Sequence, residues 1–302
     1  MKNNFLNKLS TLLIFPIYFL LVNKVQANFQ ENNIRVVALT SLTADLINTI
    51  SKDSLVGIPG SSILKKNKDF DSIPIVSSGR MPPDLEKILS LKPDLVIGAK
   101  GFHDRPLSKL NNLGISTLST SISNLDDLDN LYKILASKLK TRTKPLEEIL
   151  GSCYSKNKNK NKNLVVLVSS KPILSPNNDS WAGSLISSFK LNNLASEISN
   201  KTEFKGYVNL SPEWLLKSQP ENILVIQTPG TDISQYESIN IWNKLEAVKN
   251  NKIYTFDYYG LINAGGINAI NKAFQKLSYF IITIKFEIYR YIYIIKWYLL
   301  NK

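Results

Sequence analysis

The sequence predicts an α/β protein of two similar lobes, each built on a parallel-type sheet and joined to the other by a connector helix. Three observations predict it. Short apolar runs alternate with segments of helical periodicity along most of the chain. Glu86 stands seven residues before Pro93 and Glu213 seven before Pro220; an acid (Asp94, Glu221) and an apolar run follow each proline, at an offset of 127 residues (86 to 213). Leu107, Leu110, Ile115 and Thr117 align in turn with Leu245, Val248, Ile253 and Thr255 at an offset of 138.

The first lobe, residues 28–140, opens on a β-rich run, Ile34-Arg35-Val36-Val37-Ala38-Leu39. Ser41 to Ile50 reads as a helix with Leu42, Leu46, Ile47 and Ile50 on one face. Asp84 to Leu91 is a second helix, which Pro82-Pro83 would start. Asp94-Leu95-Val96-Ile97-Gly98 is a buried strand. Leu107 to Leu113 is helical, Gly114 ends it, and Ile115–Leu118 is a strand.

Between the lobes, Leu125–Leu139 and Pro145–Tyr154 read as helices, and residues 141–162 form the connector. Leu146, Ile149, Leu150 and Cys153 make the apolar stripe of the second helix, which predicts Cys153 to be a buried structural thiol. Asn157 to Asn163 alternates Lys and Asn and predicts a solvated loop. The second lobe, residues 163–278, repeats the pattern. Leu164–Val168 is a strand, and Ser211-Pro212-Glu213 opens a helix with a serine cap and proline in the first turn. Asn222–Ile226 is a strand, Leu245–Val248 closes a helix, and Lys252–Phe256 is a strand.

Residues 1–27 read as a secretory signal peptide. Lys2 and Lys8 precede an apolar run from Leu12 to Val22, and Val25-Gln26-Ala27 is a small-residue cleavage pattern. No cysteine lies near Ala27, so no lipid anchor is expected there. An exported protein without an anchor stays near its cell only in an enclosed compartment, which predicts a periplasm. The tail, residues 279–302, is as apolar as a membrane span, yet Lys285, Glu287 and Arg290 lie near its middle. There each charge costs about 2.5–3.5 kcal/mol. A tail lying on the protein or on a membrane surface is expected.

Composition excludes several function classes. The 302 residues hold one cysteine and one histidine. That excludes an internal disulfide, a cysteine-rich metal site and any cage of two or three imidazoles. The formal charge of +13 falls to +10 without Lys2, Lys8 and Lys24, and the tail carries a further +3. No basic stretch interleaved with aromatics precedes the tail, so nucleic acid is not an expected partner. There is no G-x-S-x-G elbow, no P-loop and no G-x-G-x-x-G after a strand, so no enzyme activity is expected.

With the export signal, the two lobes, the helical connector and the run Leu91-Lys92-Pro93-Asp94-Leu95-Val96-Ile97, the chain resembles a known family. Arg35–Leu39 and the unit from Trp242-Asn243-Lys244-Leu245 to Ile253-Tyr254 fit as well. It is similar, over about residues 34–278, to the extracytoplasmic solute-binding proteins of ABC importers for iron–siderophore complexes, cobalamin and haem. The resemblance implies a ligand cleft between the lobes with little domain closure, and partners in an ABC permease and its ATPase. It implies that Glu86 and Glu213 dock onto permease arginines. It implies as ligand an iron(III) chelate, with cobalamin or haem as the alternatives, and no cofactor. Tryptophans of the cobalamin-binding pattern are absent near Ser78 and Lys100, which sets iron–siderophore first.

Loops after strand C-termini face the ligand in sheets of this kind. The candidates are Arg80, Phe102, His103 and Arg105 in the first lobe and Trp181, Tyr207, Tyr258, Tyr259 and Asn263 in the second. The aromatics would make flat walls with polar edges, and the arginines would grip anionic groups. His103 is also a candidate axial ligand to the metal of a bound complex.

Overall fold

A computed structural model of the chain describes residues 33–78, 81–150, 163–198, 205–228 and 233–281. The signal segment, Arg80 and Cys153 lie outside the described residues, as do most of the Lys/Asn loop and the tail beyond Ile281.

The first lobe is a five-stranded parallel sheet, in the order β3-β2-β1-β4-β5. The strands are β1 (Val36–Ala38), β2 (Leu55–Gly60), β3 (Ile75–Ser78), β4 (Leu95–Ala99) and β5 (Ser116–Thr120). Val36, Val37 and Ala38 are wholly buried in the central strand. Helices cover both faces of a parallel sheet, so its strands read as unbroken apolar runs. Helix α1 (Ser41–Ser51) buries Ala44, Leu46, Ile47 and Ile50, and Thr40 caps it by accepting from Thr43 N at 3.2 Å. Helices α2 (Leu85–Ser90) and α3 (Asp104–Asn112) follow, then α4 (Leu125–Lys138).

Two helix starts differ from the sequence reading. Asp84, and not the proline pair, caps α2, accepting from Lys87 N at 3.0 Å. A free carboxylate at the cap satisfies an amide that proline at the preceding positions cannot reach. Helix α3 begins at Asp104, three residues before Leu107, because the turn from Ala99 to Asp104 is closed by its own side chains (below).

In the connector, only one turn, α5 (Leu146–Ile149), is helical within the described residues. The rest of the expected helix to Tyr154 lies outside them.

The second lobe holds a four-stranded parallel sheet, β12-β11-β6-β9. Its strands are β6 (Asn163–Leu167), β9 (Asn192–Asn193), β11 (Asn222–Gln227) and β12 (Ile253–Asp257). An antiparallel ribbon of β7 (Ser169–Ser170), β8 (Ile173–Pro176) and β10 (Tyr207–Leu210) stands beside it, and no periodicity in the sequence announced it. Helices α6 (Trp181–Ser188), α7 (Pro212–Ser218), α8 (Ser234–Glu237) and α9 (Glu246–Lys249) connect the strands. Tyr236 stacks on Trp242 at 5.6 Å inside this core.

The duplication is physical. Strand β1 pairs with β4 as β6 pairs with β11. Lys92, after α2, and Gln219, after α7, both take left-handed backbone, with φ of 48° and 39°, and each precedes a proline. Proline bars the helical region to the residue before it, so each helix stops at the same place.

Helix α10, residues 267–281, closes the described chain. It runs past residue 278, the expected end of the second lobe, and takes three residues, 279–281, from the expected tail. Phe280 and Ile281 are buried, and the Phe280 ring meets the Tyr254 ring edge-on at 4.7 Å. Burial of an aromatic at this distance favours continued helix over release to solvent.

Candidate functional site

The segments that follow the C-termini of β2 and β12 meet between the lobes. A methyl group added at Gly265 would lie 2.8 Å from the Tyr259 ring and 3.0 Å from Ile63 Cδ1. Ile63 belongs to the first lobe, and Gly265 and Tyr259 to the second. Beside this contact, Ser41 Oγ donates to Ser61 Oγ at 2.7 Å, tying the start of α1 to the end of β2.

The second-lobe candidates come together. The rings of Tyr258 and Tyr259 meet edge to face at 5.4 Å and 80°. Tyr207 lies close enough to feel the charge of Tyr258, and its hydroxyl is held well above the ordinary phenol value, chiefly by burial. The Tyr207 hydroxyl therefore stays protonated at physiological pH. Tyr259 is exposed, and Tyr258 and Tyr207 are half-buried.

The turn that presents them is tightly built. Gly260 has φ of 97°, a region open to glycine. Gly260 N donates to Asn263 O at 2.6 Å, Asn263 N to Tyr258 O at 3.1 Å, and Gly265 N to Asn263 Oδ1 at 2.9 Å. Asn263 thus shapes the turn from an exposed position. Trp181 is 6% exposed, and its indole N–H donates to Gly260 O at 2.9 Å. Its ring sits beneath the turn rather than on a ligand-facing wall, because Ser180 caps α6 and directs position 181 into the lobe.

The first-lobe candidates sit on the turn from β4 to α3. Phe102 is 88% exposed and Arg105 is exposed on the first turn of α3. His103 folds back: its Nδ1 accepts from Ala99 N at 3.0 Å, and its ring packs on Gly98. Burial pulls its pKa below the ordinary imidazole value, against the pull of Asp104. The ring is neutral with the proton on Nε2, so neither nitrogen has a free lone pair. Asp104 Oδ2 closes the turn by accepting from Gly101 N at 3.0 Å.

Between α4 and α6 lies a recess of about 530 Å³. Ser123 and Asn124 of the first lobe line one side, and Asn178, Asp179, Ser184 and Lys205 of the second line the other. Its hydroxyl and amide groups suit a hydrophilic occupant better than an apolar macrocycle.

Glu86 and Glu213, both exposed, stand in the first turns of α2 and α7. Each is the second residue after a capping side chain, Asp84 or Ser211. Glu213 is held below the ordinary carboxylate range by its own backbone amide and by Ser211.

Sequence reasoning missed Ser61, Ile63, Asp45 and the Gly265-Gly266 pair. Only the glycine pair carried a local signal, two adjacent residues without side chains before an apolar helix.

The geometry has counterparts among known proteins. A family model described as periplasmic binding protein matches residues 36–259. Two lipoproteins of Bacillus subtilis are similar over most of their length. The uncharacterized ABC transporter substrate-binding lipoprotein YvrC is 21% identical over 261 residues, 81% of this chain and 79% of its own. The putative ABC transporter substrate-binding lipoprotein YhfQ is 26% identical over 235 residues, 71% of each. Three solved structures share the fold. An ABC transporter substrate-binding protein from Listeria monocytogenes has a TM-score of 0.66 at 23% identity, over 82% of this chain and 98% of that one. The periplasmic vitamin B12 binding protein BtuF of Vibrio cholerae has a TM-score of 0.58 at 20% identity, over 82% and 96%. The periplasmic heme-binding protein RhuT from Roseiflexus has a TM-score of 0.59 at 17% identity, over 82% and 98%.

Proposed function

This chain belongs to the periplasmic binding protein family, and we propose that it is the extracytoplasmic capture component of an ABC importer for an iron–siderophore or related metal chelate. It binds and delivers its ligand and is not an enzyme. The observation that carries the ligand class is the turn at Tyr258 and Tyr259, which offers phenolic edges and apolar faces from the second lobe beside Ser61 and Ile63 of the first. A chelate with a polar rim and a flat or compact body fits such a wall. The polar recess by Asn124 and Asp179 favours a hydrophilic chelate. Cobalamin and haem, named for two of the similar structures, are the alternatives within the family.

Direct contacts are assigned to Phe102, Arg105, Tyr207, Tyr258, Tyr259 and Asn263, with Arg80 as a further cation outside the described residues. Trp181 and His103 are assigned supporting roles: the indole holds the Gly260 turn, and the imidazole holds the β4 exit rather than a metal. Glu86 and Glu213 are assigned to docking. Their equal placement suits a two-fold permease, which presents the same surface twice. The signal segment would export the chain to the periplasm, and the stretch beyond Ile281 would touch a membrane surface. The two B. subtilis relatives are lipoproteins by name, whereas the single cysteine of this chain is Cys153, so tethering by an N-terminal lipid is not part of the proposal.

Tryptophan fluorescence tests the reading. The purified chain is titrated in parallel with ferrichrome, as a ferric hydroxamate, with cyanocobalamin and with haemin. Saturable quenching by ferrichrome at or below micromolar concentration is expected. Saturation by haemin or cyanocobalamin instead moves the assignment to an alternative, and no response from folded protein removes the ligand class.

A further inference from the structure

We propose that Asp45 is a positioning residue for ligand capture: its carboxylate pins the start of the last helix of the second lobe to the first helix of the first, and so fixes the setting of the two cleft walls. The proposal rests on the reading of the cleft as the ligand site.

Asp45 lies on α1, one turn beyond Ser41. Its Oδ2 accepts from Ile267 N at 2.7 Å, across 222 residues of sequence. The caps of α1, α4, α6 and α7 come from the residue just before each helix: Thr40, Asn124, Ser180 and Ser211. Helix α10 takes this partner from the other lobe. A carboxylate suits the place, because it meets both an orphan amide and the positive end of the helix dipole. The bond is charge-assisted and hence among the stronger ones.

The neighbouring chain leaves no slack. A methyl group added at Gly266 would lie 2.8 Å from Asp45 Oδ2, so a side chain there displaces the carboxylate. The next residue back, Gly265, is wedged between Tyr259 and Ile63. From Gly265 the hydrogen bonds of Asn263 run straight to Tyr258 and Gly260. Tyr259 and Asp45 are thus the two ends of one short strap. Burial holds the Asp45 carboxyl above its ordinary range, so this charge is kept at a cost that a neutral cap would avoid.

Inter-lobe distance reads the pin directly. In a Cys153→Ser background, spin labels are placed at Lys87→Cys and Lys217→Cys, exposed positions on α2 and α7. The full chain, Asp45→Asn, Asp45→Ala and Gly266→Ala are compared by double electron–electron resonance. The parent and Asp45→Asn, which keeps the acceptor, are expected to give the same narrow distribution. Asp45→Ala and Gly266→Ala are expected to broaden it roughly twofold, as a hinge freed at one edge would. Ferrichrome titration of the same proteins is expected to weaken about tenfold in the two broadened variants and to hold in Asp45→Asn. An unchanged distribution in Asp45→Ala and Gly266→Ala overturns the proposal, whatever the ligand does. The distances decide it even where ferrichrome fails to bind the parent, an outcome that counts against the proposed ligand alone.

Discussion

Glu86 and Glu213 stand at one position of two equivalent helices: each is the second residue beyond a side-chain cap, Asp84 in α2 and Ser211 in α7. The setting is fixed from both sides. Arg35 donates through Nη2 to Leu91 O at 2.7 Å at the end of α2, and Gln219, at the end of α7, accepts from Glu246 N through its side chain at 2.9 Å. Both helices are therefore held rigidly beneath their glutamates.

Replacing either glutamate by glutamine is expected to leave ligand affinity unchanged and to weaken docking on the permease about tenfold, the loss of one hydrogen bond to a charged group. Transport assays beside ligand titrations check it. Equal loss in both assays would place the glutamates in the fold rather than at the docking surface.

Trp181→Phe removes the indole N–H donor together with part of a buried ring. The Gly260 carbonyl loses its partner, and the chain is expected to lose about 1–3 kcal/mol of stability. Urea unfolding measures that loss. Ferrichrome affinity is expected to fall as well, because the Tyr259 turn rests on this bond.

Gly260→Ala is expected to destabilise more than Trp181→Phe. The residue has φ of 97°, which an L side chain rarely adopts, and its new methyl would collide with the carbonyl oxygen of Ala269. Thermal melting of the two variants side by side ranks them, and the reverse order would contradict this reading of the turn.

Much of this architecture was legible because its causes are local. Val36-Val37-Ala38 and Ile223-Leu224-Val225-Ile226 are short apolar runs rich in β-branched residues, as buried strands are, and the proline after Lys92 and Gln219 stops each helix. The 127-residue offset, read from Glu86 and Pro93, reappears in backbone conformation. The site was less legible. Trp181 reads as a loop aromatic, but the cap at Ser180 turns it inward. His103 reads as a lone imidazole open to a metal, but Ala99 N claims its Nδ1. Asp45 looks like any solvated helix acid, since nothing near it in sequence announces a partner 222 residues away.

The acid behaviour of Asp45 follows from its burial. Desolvation raises its pKa above 3.8, the Ile267 amide opposes this, and Asp69 adds to it. A carboxyl with a folded pKa above its unfolded one stabilises the fold below the unfolded value, and that contribution is lost as pH rises through the folded value. The parent is therefore expected to gain stability relative to Asp45→Asn as pH falls from about 7 to about 4. Urea midpoints across that range check the sign, and a difference independent of pH would contradict it.

The central claim is that the tyrosine turn between the lobes holds a metal chelate. Calorimetric titration of ferrichrome into the parent and into a Tyr258→Ala, Tyr259→Ala double variant tests it most directly. The account predicts one site at or below micromolar affinity in the parent and at least about a tenfold loss in the variant, the removal of two aromatic contacts. Equal binding by both proteins would place the ligand elsewhere, and no binding by the folded parent would contradict the assignment of ferric hydroxamates.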